Sequence, residues 1–154
     1  MAVVYIKNHD AHAGKWIYRG YKLAWEACGY EVRLYDNLEN VKPSPQEYCI
    51  MALDSDVKTP QGLELLANAM KSFVFVQPNT FPSPWGSHPN FISLCPDIYI
   101  EALNRLKNVH LWTFADSNSY YHKWGHVNTL PLAYDSISYK FYSDKDYQFD
   151  VCYI

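Results

Sequence analysis

The amino-acid sequence predicts an α/β domain in which helices cover both faces of a doubly wound, mostly parallel sheet. Short β-branched and aromatic runs alternate with longer stretches whose apolar residues recur at helical spacing, and no Asn-Gly or Asp-Gly pair offers a tight hairpin. A chain of 154 residues, 49% hydrophobic, is also of the size that closes one core.

Each element has its own signal. VVYI (3–6) is a compact strand followed by the polar loop NHDAHAG (8–14). Over 15–28, Ile17, Tyr21, Ala24, Trp25 and Cys28 recur at helical spacing, and Gly29 stands where a helix C-cap belongs. EVRLY (31–35) alternates, with Val32 and Leu34 expected inward, and YCIMAL (48–53) is continuously apolar, as a buried strand should be. Thr59 before Pro60 starts a helix with Leu63, Leu66, Ala67 and Met70 on one face, and FVFVQ (73–77) is a fourth strand. After the Pro-rich stretch 78–89, Pro96 opens a helix carrying Tyr99, Ala102, Leu103 and Leu106, which leads into VHLWTF (109–114). A short helix over 117–124, closed by Gly125, precedes a sixth strand within HVNTLPLA. The whole is Rossmann-like, with an expected strand order 3-2-1-4-5-6 and completion by Ala133. Residues 134–154 form an aromatic-rich linker ending in the strand-like FDVCYI, either an edge strand of the same sheet or the first strand of a second domain.

Composition excludes several function classes. The formal charge is −3, and no basic block is present to neutralise a row of phosphates, which disfavours nucleic acid as a partner. Apolar runs of a few residues predict no transmembrane segment, and the absence of a signal-peptide pattern predicts a cytoplasmic location. Cys28, Cys49, Cys95 and Cys152 form no C-x-x-C pair and read as buried free thiols. Tyr, Trp and Phe make up 17% of the chain, a supply of flat faces suited to sugars or bases and equally to core packing.

Ligands of open parallel sheets collect beyond the carboxyl ends of the strands. The loops expected there carry His9, Asp10 and His12 after the first strand, Asp36 after the second, Asp54 and Asp56 after the third, Asn79 and Thr80 after the fourth, and Asp116 and Ser117 after the fifth. The first loop is the richest, because its titratable cluster stands just before a helix N-terminus, where free N–H groups favour an anion or polarised oxygen. A histidine there can take a proton from a hydroxyl, with Asp10 or Asp116 to hold its tautomer. Gly14, closing the loop, and Trp16, at the start of the helix, join His9, Asn79, Thr80, Asp116 and Ser117 as candidate substrate-binding residues. The same H-D-A-H string permits a metal-dependent hydrolase using His9, Asp10 and His12. No G-x-G-x-x-G is present, which disfavours a nicotinamide or flavin dinucleotide cofactor, while a non-catalytic flavodoxin-like binding module remains open.

The strand VVYI, the His-containing loop, GKWIYRGYKLAWEACGYEVRLYDN, LPLAYD and DVCYI together resemble the N-terminal half of GT-B glycosyltransferases of the spore-maturation type. In that family A-W-E-x-x-G-[HY]-E-V, here residues 24–32, leads into the second strand, a Leu-Pro run closes the first domain, and D-V-x-[FY]-[IV]-G opens the second. The resemblance implies one half of a GT-B fold: an acceptor-side domain over 1–133, and over 134–154 a linker and the first strand of a donor-binding domain missing from this sequence. It also implies a nucleotide sugar as co-substrate, a glycan, lipid or protein as acceptor, and no cofactor or bound metal. His12, nearest the helix start, is then the expected base, with Asp10 next.

Overall fold

The computed structural model describes residues 2–10, 12–43, 47–77, 92–113 and 123–130. Six parallel strands form one sheet: β1 (Val3–Lys7), β2 (Glu31–Tyr35), β3 (Tyr48–Leu53), β4 (Lys71–Phe75), β5 (Val109–Thr113) and β6 (Val127–Thr129). Among the described residues three α-helices accompany them: α1 (His12–Ala27), α2 (Pro60–Asn68) and α3 (Asp97–Arg105). The Rossmann-like α/β expectation therefore holds.

The strand order does not follow the expected 3-2-1-4-5-6. It is β2-β1-β3-β4-β5-β6, with Val3 to Ile6 of β1 paired to β3 in register with Tyr48 to Met51. The physical reason lies in the side chains. Every residue from Tyr48 to Ala52 is buried, as a strand between two neighbours requires, whereas Glu31 and Arg33 of β2 are exposed and ion-paired to each other at 2.7 Å, and Leu34, expected inward, is also exposed, as suits a border. The chain from Asp36 to Glu47 holds no strand among its described residues, only a 3-10 turn at Leu38–Asn40 that Asn37 caps through the Glu39 N–H.

Both sheet faces are covered. Val3, Tyr5, Tyr48, Ile50, Ala52, Val74 and Leu111 pack with Leu65 and Leu66 of α2 and Ile100 and Leu103 of α3. The alternate residues Val4, Ile6, Cys49, Met51 and Trp112 meet Tyr18, Tyr21 and Trp25 of α1. Aromatic edges do much of this second packing, and the Trp25 indole N–H donates to the Met51 sulfur at 3.1 Å.

Local chemistry sets the helix limits. Thr59 Oγ1 accepts from the Gly62 N–H with Pro60 in the first turn, and the Asn108 side-chain amide takes the carbonyls of Leu66 and Ala69 where α2 ends. Met70 therefore lies past the helix and is half exposed. Gly29 has φ +85°, the left-handed conformation that ends α1 without a Cβ clash. The face of α1 that meets the sheet is Tyr18, Tyr21 and Trp25, so Ala24 and Cys28 are exposed and Cys28 departs from the expected buried thiol. Its place beside the Gly29 turn leaves it without a covering element, while Cys49 and Cys95 are buried and free. Lys123 and Trp124 are not helical, so the helix expected over 117–124 does not reach them. Its other residues, Cys152, and the expected linker and strand over 134–154 lie outside the described residues. No described helix is long and apolar enough to cross a membrane.

Candidate functional site

The chain leaves β1 in one direction to make β2 and the rest of the sheet builds from β3 in the other, so the switch point lies between the carboxyl ends of β1 and β3. Lys7 closes β1. Its ammonium bonds Asp56 Oδ1 at 2.9 Å and the Asp36 carbonyl at 2.6 Å, joining the ends of three strands. Asn8 continues the network, its N–H donating to the Tyr35 carbonyl at 2.7 Å and its side-chain amide to Asp36 Oδ1 at 2.8 Å. Asp56 also accepts from the Leu53 N–H at 3.2 Å.

Beside it the buried Asp54 carboxylate accepts from the N–H groups of Ser55 and Gln77. Burial pushes its pKa up to about 6, against the lowering effect of those bonds and one from Ser93. Tyr18 approaches from α1. Burial first, and then the negative charge of Asp56, raises its phenol well above the ordinary value, and Tyr35 is raised for the same two reasons. Both phenols stay protonated at neutral pH, and Tyr35 donates to the Met51 carbonyl at 2.9 Å.

The loop after β1 is seated on α1. The His9 imidazole stacks on the Tyr18 ring, with centroids 5.5 Å apart and planes 28° from parallel. Gly14 makes room for it, since a Cβ there would come within 2.5 Å of His9 Cε1. Gly14 thus serves the packing of the loop. Asp10 is exposed at the loop tip, and His12 is the first residue of α1, three positions earlier than the spacing of apolar residues suggested. Trp16 is 57% exposed, with the Lys15 ammonium 5.8 Å from its ring centroid. His9, Asp10, His12, Gly14 and Trp16 therefore cluster around one loop and one helix start. Asn79, Thr80, Asp116 and Ser117 lie outside the described residues.

Sequence reasoning named Asp36, Asp54 and Asp56 by position but missed Lys7 and Tyr18. Lys7 was hidden as the last residue of a strand. Tyr18 was discoverable, standing one helical turn beyond Gly14 on the face that holds Tyr21 and Trp25. The described residues contain no group of three or more His, Cys, Asp or Glu side chains arranged to hold a metal ion. This edge offers carboxylates, amides and aromatic faces that can bind hydroxyl groups, and one lysine already engaged by two partners. No protein-family model, curated protein or solved structure matches this chain.

Proposed function

We propose that the chain is the acceptor-side, N-terminal domain of a GT-B glycosyltransferase that moves a sugar from a nucleotide sugar onto an acceptor hydroxyl. The observation that carries this reading is that the chain leaves β1 beside the switch point and that a histidine, His12, is the first residue of α1. On this reading a proton acceptor and a helix N-terminus would together serve the attack of a hydroxyl on an anomeric carbon next to a departing diphosphate. The strand order is compatible with it: removing the outermost strand from 3-2-1-4-5-6 and renumbering leaves 2-1-3-4-5, the order of the first five strands here.

In this reading His12 takes the acceptor proton, Asp10 is the alternative base, and His9 with Trp16 offers ring faces to the acceptor. The donor would be held by a second domain. The test uses the 154-residue chain itself. Saccharides should perturb the amide resonances of Asn8 to Asp10 and of Lys15 to Tyr18 at millimolar concentration, without turnover of any nucleotide sugar. Transfer or hydrolysis of a nucleotide sugar by this chain alone, or saccharides leaving those amides untouched, would overturn the reading.

The same strand order is also that of flavodoxin-like domains, which favours a second reading as a non-catalytic binding module. Stoichiometric FMN binding with a yellow, quenched flavin would move the assignment there.

A further inference from the structure

Asp54 is a fully buried carboxylate with no cation beside it among the described residues. The charged and titratable groups facing it are Asp56 from its own 3-10 turn, Tyr18 from α1, and Cys95 from the segment entering α3. Asp56 is already neutralised by Lys7. Among the described residues the Asp54 charge is held by hydrogen bonding: Ser55 N–H on Oδ1 at 2.6 Å, Gln77 N–H on Oδ2 at 3.1 Å, and the Ser93 hydroxyl.

These donors come from separate parts of the chain. Gln77 follows β4 and Ser93 precedes α3, so Asp54 grips both stems of the connection between β4 and α3 and fastens them to the end of β3. A carboxylate only accepts, and it can satisfy all three donors together. A carboxylic acid must donate once. Neither backbone N–H can receive that proton, whereas a hydroxyl can turn and accept it.

We propose that Asp54 is a proton-operated clasp: ionised, it binds both stems; protonated, it donates to Ser93 Oγ, reversing that bond, and loosens its hold on the backbone N–H groups. The proton comes from solvent and no other bond is made or broken. Burial brings the transition to about pH 6, inside the range a cell visits. The device stands independently of glycosyl transfer.

Amide NMR of the isotopically labelled 154-residue chain tests it. The Ser55 and Gln77 amide protons should shift together with one midpoint near pH 6. Hydrogen exchange at Gln77, corrected for its intrinsic pH dependence, should speed up roughly three- to tenfold below that midpoint, the weight of one hydrogen bond. Asp54→Asn should abolish the transition. Ser93→Ala, which removes a donor to the charged form, should move the midpoint upward and provides the test if Asp54→Asn fails to fold. Amides that stay flat from pH 4.5 to 8, a midpoint at the ordinary carboxylate value, or a transition that persists in Asp54→Asn would overturn the proposal.

Discussion

Replacing Gly14 by alanine interrogates the seat of the loop that follows β1. A Cβ at this position would lie 2.5 Å from His9 Cε1 and 2.6 Å from Cγ, far inside contact distance, so either the imidazole leaves its stack with Tyr18 or the first turn of α1 is strained. Alanine gains about 1 kcal/mol over glycine within a helix. Against that, losing a ring pair costs roughly 0.5–1.5 kcal/mol, and forcing an extra methyl into a filled space costs about 1–3 kcal/mol. The net effect in the native background is a loss of between about zero and 2 kcal/mol. In a His9→Ala background the obstacle is gone and the same change should stabilise by up to about 1 kcal/mol. The two sites are thus coupled by roughly 1–3 kcal/mol, well above the ~0.5 kcal/mol scatter of independent sites. Urea denaturation of the native chain, both single variants and the double variant measures that coupling directly. Additivity within about 0.5 kcal/mol would mean that the ring does not occupy the space above Gly14 and would refute the reasoning.

Other outcomes follow from the same geometry. The Asp54 carboxyl has a folded pKa near 6 and an ordinary value of 3.8, so the folded chain binds the extra proton between those values. Its contribution to stability therefore falls as pH rises from about 4 to 6, by roughly 3 kcal/mol at 1.36 kcal/mol per unit. Urea titrations of the native chain and Asp54→Asn should diverge with that sign; a contribution that grows with pH across this window would contradict it. Thr59→Ala removes the cap of α2 and should cost about 1 kcal/mol, with Thr59→Ser nearly neutral, read from the urea midpoint. If the proposed transferase reading is right and His12 is the base, His12→Ala in an enzyme that pairs this domain with a donor-binding one should lower kcat by roughly 10²- to 10⁴-fold at unchanged urea midpoint. Full activity there, with a large loss in Asp10→Ala, would give the proton to the carboxylate.

Local signals wrote themselves plainly into the sequence. Thr59-Pro60, Gly29 and the compact apolar run VVYI each act within a few residues, and each produced the element it announced. Strand adjacency is different, because hydrophobic period reports which faces are buried and says nothing of neighbours. The clue lay in comparing strands: Glu31 and Arg33 need water and mark a border, while the unbroken run in β3 needs a strand on each side. The site divides the same way. The loop after β1 was legible from its position before a helix. The Lys7–Asp56 pair joins residues 49 positions apart, and the Asp54–Gln77 bond spans 23, so neither could be seen before the fold brought them together. Whether a buried thiol or an exposed one stands at Cys28 turned on a shift of the helix face toward Tyr18 that apolar spacing alone does not resolve.

Among the described residues β2 and β6 border the sheet, with a consequence for how copies of this chain behave when crowded together. β2 has five residues with an outward ion pair in its middle, and β6 has only three. A neighbouring chain that tried to extend the sheet at β2 would have to strip water from Glu31 and Arg33. At β6 it would gain too few backbone bonds to offset its lost freedom. The long central strands that could template a fibril lie between partners on both sides. Removing both charges on β2, as in the double substitution Glu31→Val and Arg33→Val, would turn that border into a continuous apolar ribbon and expose the chain to edge-to-edge aggregation.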